Sequence, residues 1–149
     1  MSLDQKHKLN QNSIIQGYIV GNNFGRLIEM DFEIIEAGKI EYYIEIQEKH
    51  LATPIASHGG VVSSLMDSTT GIAALSLVCE DGFIVSTVEL KLNFLAPVRL
   101  GDVLTGYSSV LSRGKRLIVT EAEVRNQKGK LVAKGMGTFN VYPLEKAGY

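Results

Sequence analysis

Two hydrophobic periods divide the chain. From residue 26 to 47, apolar positions recur at every second residue. Ile40, Tyr42, Ile44 and Ile46 alternate with Glu41, Tyr43, Glu45 and Gln47, the period of a half-buried strand. This stretch predicts two strands joined at Glu36-Ala37-Gly38-Lys39. The same period returns after residue 82. There Val88, Leu90, Leu92 and Phe94 alternate with Thr87, Glu89, Lys91 and Asn93. Three further long strands follow, with hairpin turns expected at Arg113-Gly114-Lys115 and Gln127-Lys128-Gly129. Between the two sets lies SHGGVVSSLMDSTTGIAALSLVC, residues 57–79. It predicts a helix from Val61 to Val78, about five turns, with Ser57 or His58 as cap and Gly59 and Gly60 in its first turn. Apolar residues cover most of its circumference, which marks a buried helix. Residues 8–20 suggest a short helix ending in a turn at Gly21–Gly25, and residues 48–57 a loop around Pro54.

The order is therefore two strands, one helix, four strands. Layer logic makes this α+β: one long central helix wrapped by a curved antiparallel sheet. The 149 residues suit a single domain, with 1–20 as an N-terminal extension and the core at about 27–142. A net charge of −1 argues against nucleic acid and against an anionic membrane surface. The polar N-terminus lacks the apolar core of a signal peptide, and no apolar run is long enough to span a bilayer. A cytoplasmic protein is expected. One cysteine, Cys79, and three histidines supply a metal site poorly, so no metal is expected. Cys79 reads as packing, His7 as part of the N-terminal tail, and His50 as a solvent-facing loop residue.

Asp67 is the anomaly. Between Lys49 and Glu80 there is no other carboxylate and no Lys or Arg. Its neighbours on the helix face are Ser63, Ser64, Thr70, Gly71 and Ala74, small residues that keep the face narrow enough for a ligand. Burying a carboxylate without partners costs several kcal/mol, and a partly desolvated Asp is a competent base or nucleophile. The His58-Gly59-Gly60 turn offers exposed N–H groups at the positive end of the helix dipole, suited to an oxyanion. Gly59 and Asp67 are eight residues apart, about 12 Å along a helix, too far for one carbonyl to touch both. If both serve one reaction, they come from different subunits, with helices antiparallel across a two-fold axis.

His-Gly-Gly, six residues, Asp67, then STTG and later STVELKLNFLAPVRLGD together resemble the hot-dog-fold acyl-CoA thioesterases of the PaaI-like group, over roughly residues 27–142. The resemblance implies that Asp67 activates water or attacks the thioester itself. It implies that the Gly59 N–H of the facing subunit holds the oxyanion, that His58 organises the start of the helix, and that the Thr87 hydroxyl positions water near the carboxylate. Gly60 and Ser63 would contact the substrate. Arg113 and Lys115, with Arg116 at an otherwise ordinary solvated turn, would attract the phosphates of coenzyme A. Coenzyme A enters as part of the substrate, with no cofactor, and the assembly is expected to be a homodimer or homotetramer. Many relatives carry Asn or Gln six residues before the His; here that residue is Ala52. A non-catalytic acyl-CoA binding module is the alternative, and a hot-dog lyase acting on an enoyl-CoA a third.

Overall fold

The period-two segments become six strands of one antiparallel sheet. They are β1 (Met30–Glu36), β2 (Lys39–Glu45), β3 (Phe83–Phe94), β4 (Val103–Arg113), β5 (Leu117–Asn126) and β6 (Leu131–Pro143). The computed structural model describes residues 3–148, with side chains from residue 5 onward; residues 1, 2 and 149 of the expected single domain lie outside the described residues. The three hairpins fall where the turn residues predict. Gly38 and Gly129 take φ values of 83° and 75°, a left-handed backbone that glycine reaches without a Cβ penalty. Strand order is β1-β2-β4-β5-β6-β3. β3 therefore does not pair with its successor β4. It pairs with β6, and residues 95–102 carry the chain from that edge back to the middle of the sheet.

Helix α4 (Gly59–Ser76) lies across the concave face and contacts every strand. It is one continuous helix as the pattern predicts, ending two residues before Val78. Leu65, Met66 and Ala73 are fully buried, and truncating a side chain such as Leu65 in this position costs about 2–5 kcal/mol. Two missing side chains let the sheet come this close. A Cβ on Gly106 of β4 would collide with Thr69, and one on Gly137 of β6 would sit 2.9 Å from Thr70 Oγ1. The buried hydroxyls are satisfied: Thr69 and Thr70 donate to Leu65 and Met66 carbonyls at 2.6 and 2.8 Å, and Thr120 donates to the Thr70 carbonyl at 3.1 Å. Cys79 is buried at the end of this layer. Burial pushes its thiol up to about 11, so little thiolate forms at neutral pH.

The N-terminal segment departs from expectation. Instead of one helix over 8–20 there are three: α1 (Leu3–Gln11), α2 (Ser13–Gly21) and α3 (Asn23–Leu27). Two asparagines cause the breaks. Asn12 Oδ1 accepts from the Ile14 N–H at 2.9 Å, and Asn22 Oδ1 from the Gly25 N–H at 2.9 Å. Each caps a new helix and so interrupts the previous one. The predicted turn at Gly21–Gly25 is thus largely helical, and His7 lies exposed on α1.

Candidate active site

Asp67 stands in the middle of α4, half-buried. Thr87 of β3 donates its hydroxyl to Asp67 Oδ1 at 2.9 Å. Strict alternation would not put it there, because it assigns Thr87 to the face opposite Leu90 and Leu92. A β-bulge resolves the conflict. Thr87 pairs with Phe139 but Glu89 with Thr138, so Val88 is an extra residue that shifts the phase. Val85 and Thr87 face the helix before the bulge; Leu90 and Leu92 pack on the core after it. Bulges recur beside sites because they re-aim one side chain without ending the strand.

Asp67 and Thr87 open on a chamber of about 190 Å³ whose walls include Gly71, Val85, Phe139 and Tyr18. Tyr18 comes from α2. Its hydroxyl accepts from Asn22 Nδ2 at 2.9 Å and lies 3.2 Å from the Tyr42 hydroxyl. Burial raises the Tyr18 hydroxyl above its ordinary value, while its bonds to Tyr42 and Ser68 oppose that and the Asp67 charge adds to it. It stays a neutral phenol beside the carboxylate. The residue types give no sign of this tyrosine: α2 reads as an ordinary apolar helix, and only its packing brings residue 18 to residue 67.

The first turn of α4 is built locally. Of the two candidate caps, His58 is the one used: its Nδ1 accepts from the Gly60 N–H at 2.8 Å. An acceptor Nδ1 places the imidazole proton on Nε2. A Cβ on Gly60 would lie 2.7 Å from that nitrogen, so this cap requires glycine. The Val61 N–H goes to the His58 carbonyl at 3.0 Å. Among the described residues no acceptor meets the Gly59 N–H. It is the free donor of this helix end.

His50 corrects a sequence expectation. It is only 2% exposed, because residues 48–50 form a 3₁₀ turn whose imidazole closes back on the backbone. The Gln47 N–H donates to its Nδ1 at 3.0 Å, and its carbonyl accepts from the His58 N–H at 2.8 Å. His50 thus underlies the His58 turn. Its Nε2 has no partner among the described residues. Ala52 is exposed in the tight loop that follows, where its N–H and that of Thr53 both reach the Ala56 carbonyl.

Other expected site residues are placed differently. The Gly60 N–H is committed to His58, and the Ser63 hydroxyl donates to the Gly59 carbonyl at 3.0 Å, as serine inside a helix tends to do. Thr70 and Ala74 are fully buried against the sheet, so the face beside Asp67 narrows to Ser63, Ser64 and Gly71. Arg113 and Lys115 do not reach the Asp67 chamber. They line a separate hollow with Val78 and Phe83, and Arg113 lies 3.8 Å from Asp81. Among the described residues no group of three or more His, Cys, Asp or Glu side chains could hold a metal ion, and no helix is long and apolar enough to cross a membrane.

Comparison with known proteins adds to this geometry. The profile of the thioesterase superfamily matches residues 57–133, the stretch from the cap of α4 to β6. A candidate esterase of Saccharolobus solfataricus is 36% identical over 114 residues, 75% of this chain and 79% of the relative. Acyl-coenzyme A thioesterase 13 of Homo sapiens is 27% identical over 128 residues, 84% of this chain and 89% of the relative. Among solved structures, the E. coli PaaI protein from the phenylacetic acid degradation operon superposes with a TM-score of 0.79 at 26% identity, covering 91% of this chain and 94% of that one.

Proposed function

The chain belongs to the thioesterase superfamily and is a hot-dog-fold acyl-CoA thioesterase; we propose that it works at a site shared by two copies, Asp67 of one facing the Gly59 N–H of the other. The observation that carries this is the separation within one chain. The oriented carboxylate and the free amide stand about 12 Å apart along α4, so neither alone completes a site for a single carbonyl.

The spacing also specifies how two copies would meet. Gly59, Ser63 and Asp67 stand at four-residue intervals, on one stripe of the helix. Pairing Asp67 with Gly59 of a second antiparallel helix puts the two-fold axis beside Ser63, midway between them. Small residues at 59, 63 and 64 suit close approach there. The edge position of β3 leaves its outer side free to extend the sheet across the same axis.

In this reading Thr87 holds Oδ1 and leaves Oδ2 to take a proton from water as the water oxygen attacks the thioester carbon. The Gly59 N–H meets the oxyanion that forms. Collapse of the tetrahedral intermediate breaks the C–S bond, and the proton on Asp67 passes to the leaving thiolate. The products are the free acid and coenzyme A. Arg113 and Lys115 line a different hollow and have no part in these steps.

Two experiments test the shared site. Ser63→Cys, otherwise wild type, is expected to form an interchain disulfide under mild oxidation; none forms if residue 63 is far from the axis, since the Cα atoms must come within about 7 Å. Separately, inactive Asp67→Asn and Gly59→Pro chains are unfolded together and refolded as a mixture. Mixed dimers then carry one intact site, and about a quarter of wild-type thiol release returns. No recovery places both groups in one chain's site and removes the proposal.

A further inference from the structure

The Asp67 chamber is too small to hold much more than the reacting end of an acyl group, yet it does not stand alone. A second cleft, of about 810 Å³, adjoins it. The two share Tyr18, Leu75 and Val85 as common walls. The second cleft runs between α2 and the start of β3, toward Tyr142 near the end of β6 and Leu144 just beyond it. Its lining is mostly apolar, with Ile14, Leu75 and Ile84 along its length.

Helix α2 creates this space by what it lacks. Ser13, Gly17 and Gly21 stand at four-residue intervals and all border the cleft. They form one small-residue stripe on the side facing β3. A Cβ built on Gly17 or Gly21 meets nothing within 4 Å. These glycines are therefore not needed for close packing of the helix. They also cost helix stability, since glycine is the poorest former after proline. Tyr18, between them, is pinned by Asn22 and Tyr42, so its ring stands as a fixed post between chamber and cleft.

From these shared walls we infer that the cleft beneath α2 houses the hydrocarbon tail of the thioester, that Gly17 keeps it open, and that the substrates are acyl-CoAs with tails long enough to pass Tyr18. The inference rests on the Asp67 site proposed above. It adds a specificity determinant from a segment outside the matched family profile, which begins at residue 57. A straight-chain tail suits the cleft because it needs no polar partner there, and each buried methylene should raise kcat/KM about fourfold until the cleft is full.

The test is a chain-length profile from butanoyl-CoA to decanoyl-CoA, read as thiol release. Wild type is expected to favour the longer substrates. Gly17→Leu fills the cleft, and the decanoyl-to-butanoyl ratio of kcat/KM is expected to fall by at least about tenfold, with Gly17→Ala between. Leucine is a better helix former than glycine and meets open space, so the variant is expected to fold. Gln16→Leu puts the same side chain on the exposed side of α2 and should leave the ratio where it was. An unchanged ratio in Gly17→Leu overturns the inference while leaving the Asp67 site intact. A change in oligomeric mass on that substitution also overturns it, because the cleft would then be covered by a second copy. Failure of wild type to release thiol from any member of the panel sinks the Asp67 reading beneath it.

Discussion

The first turn of α4 and its middle, eight residues apart on one helix, are assembled by opposite means. The turn is a local product. His58 caps Gly60, His50 anchors His58 from eight residues back, and the Gly59 N–H is left without an acceptor among the described residues. The middle is a tertiary product. Asp67 is oriented by Thr87, twenty residues on, through a bulge in an edge strand, and is walled by Tyr18 from a helix near the N-terminus. The electron-poor half of the site thus depends on backbone conformation, and the electron-rich half on packing. Variants in the turn should act through the amide or the cap, and variants around Asp67 through the carboxylate's surroundings.

The sharpest break in that comparison is Asp67→Asn, which keeps the shape and removes the base. Turnover is expected to fall by about 10²–10⁴-fold while the unfolding temperature stays close to wild type; steady-state thiol release beside a thermal melt checks both. Next comes a pair at the other end. Gly59→Pro deletes the N–H at a helix position where proline is tolerated, and His58 already has the extended φ of −66° and ψ of 135° that a following proline demands. Gly59→Ala adds a Cβ, 3.3 Å from the Phe94 ring, but keeps the N–H. A loss in kcat of about 10²-fold or more for the proline variant, well beyond the alanine variant, is expected of an oxyanion donor. Equal losses would assign the effect to crowding at Phe94.

Smaller effects sharpen the contrast. Thr87→Val removes the hydroxyl at similar volume and is expected to lower kcat about tenfold, the order of one hydrogen bond to a charged group; Thr87→Ser should restore most of it. Gly60→Ala should act on stability first, because its Cβ displaces the imidazole cap. A loss of about 1 kcal/mol corresponds to a fall of roughly 2–8 °C in Tm, measured by calorimetry, with a smaller change in turnover.

Where sequence reading succeeded and where it failed follows the same division. The hairpin at Glu36–Lys39 is a short-range event, and so is the capping of α4 by His58. Both are visible in the residues at hand. The break at Asn12 is equally local, and it goes unread because Asn10, Gln11, Asn12 and Ser13 form one polar run in which no single residue stands out as the cap. The position of Thr87 is another matter. Alternation along β3 turns it away from the helix, and the extra residue Val88 shows only once β6 is laid beside β3. Tyr18 carries no local mark at all. His50 looks like a loop residue until its imidazole is seen closing a turn that is itself covered.

Residue periods, turn glycines and caps, each acting over a few positions, determined the element types, the helix with its lone acid, and the free amide at its start. Only the tertiary structure decided that β3 crosses to the far edge, that a bulge turns Thr87 onto Asp67, and that α2 closes the chamber with Tyr18. The reason is range. A cap or hairpin forms between neighbours whatever the rest of the chain does. A strand's partner, the phase of a bulge and the wall of a cavity depend on free-energy differences summed over residues far apart in sequence.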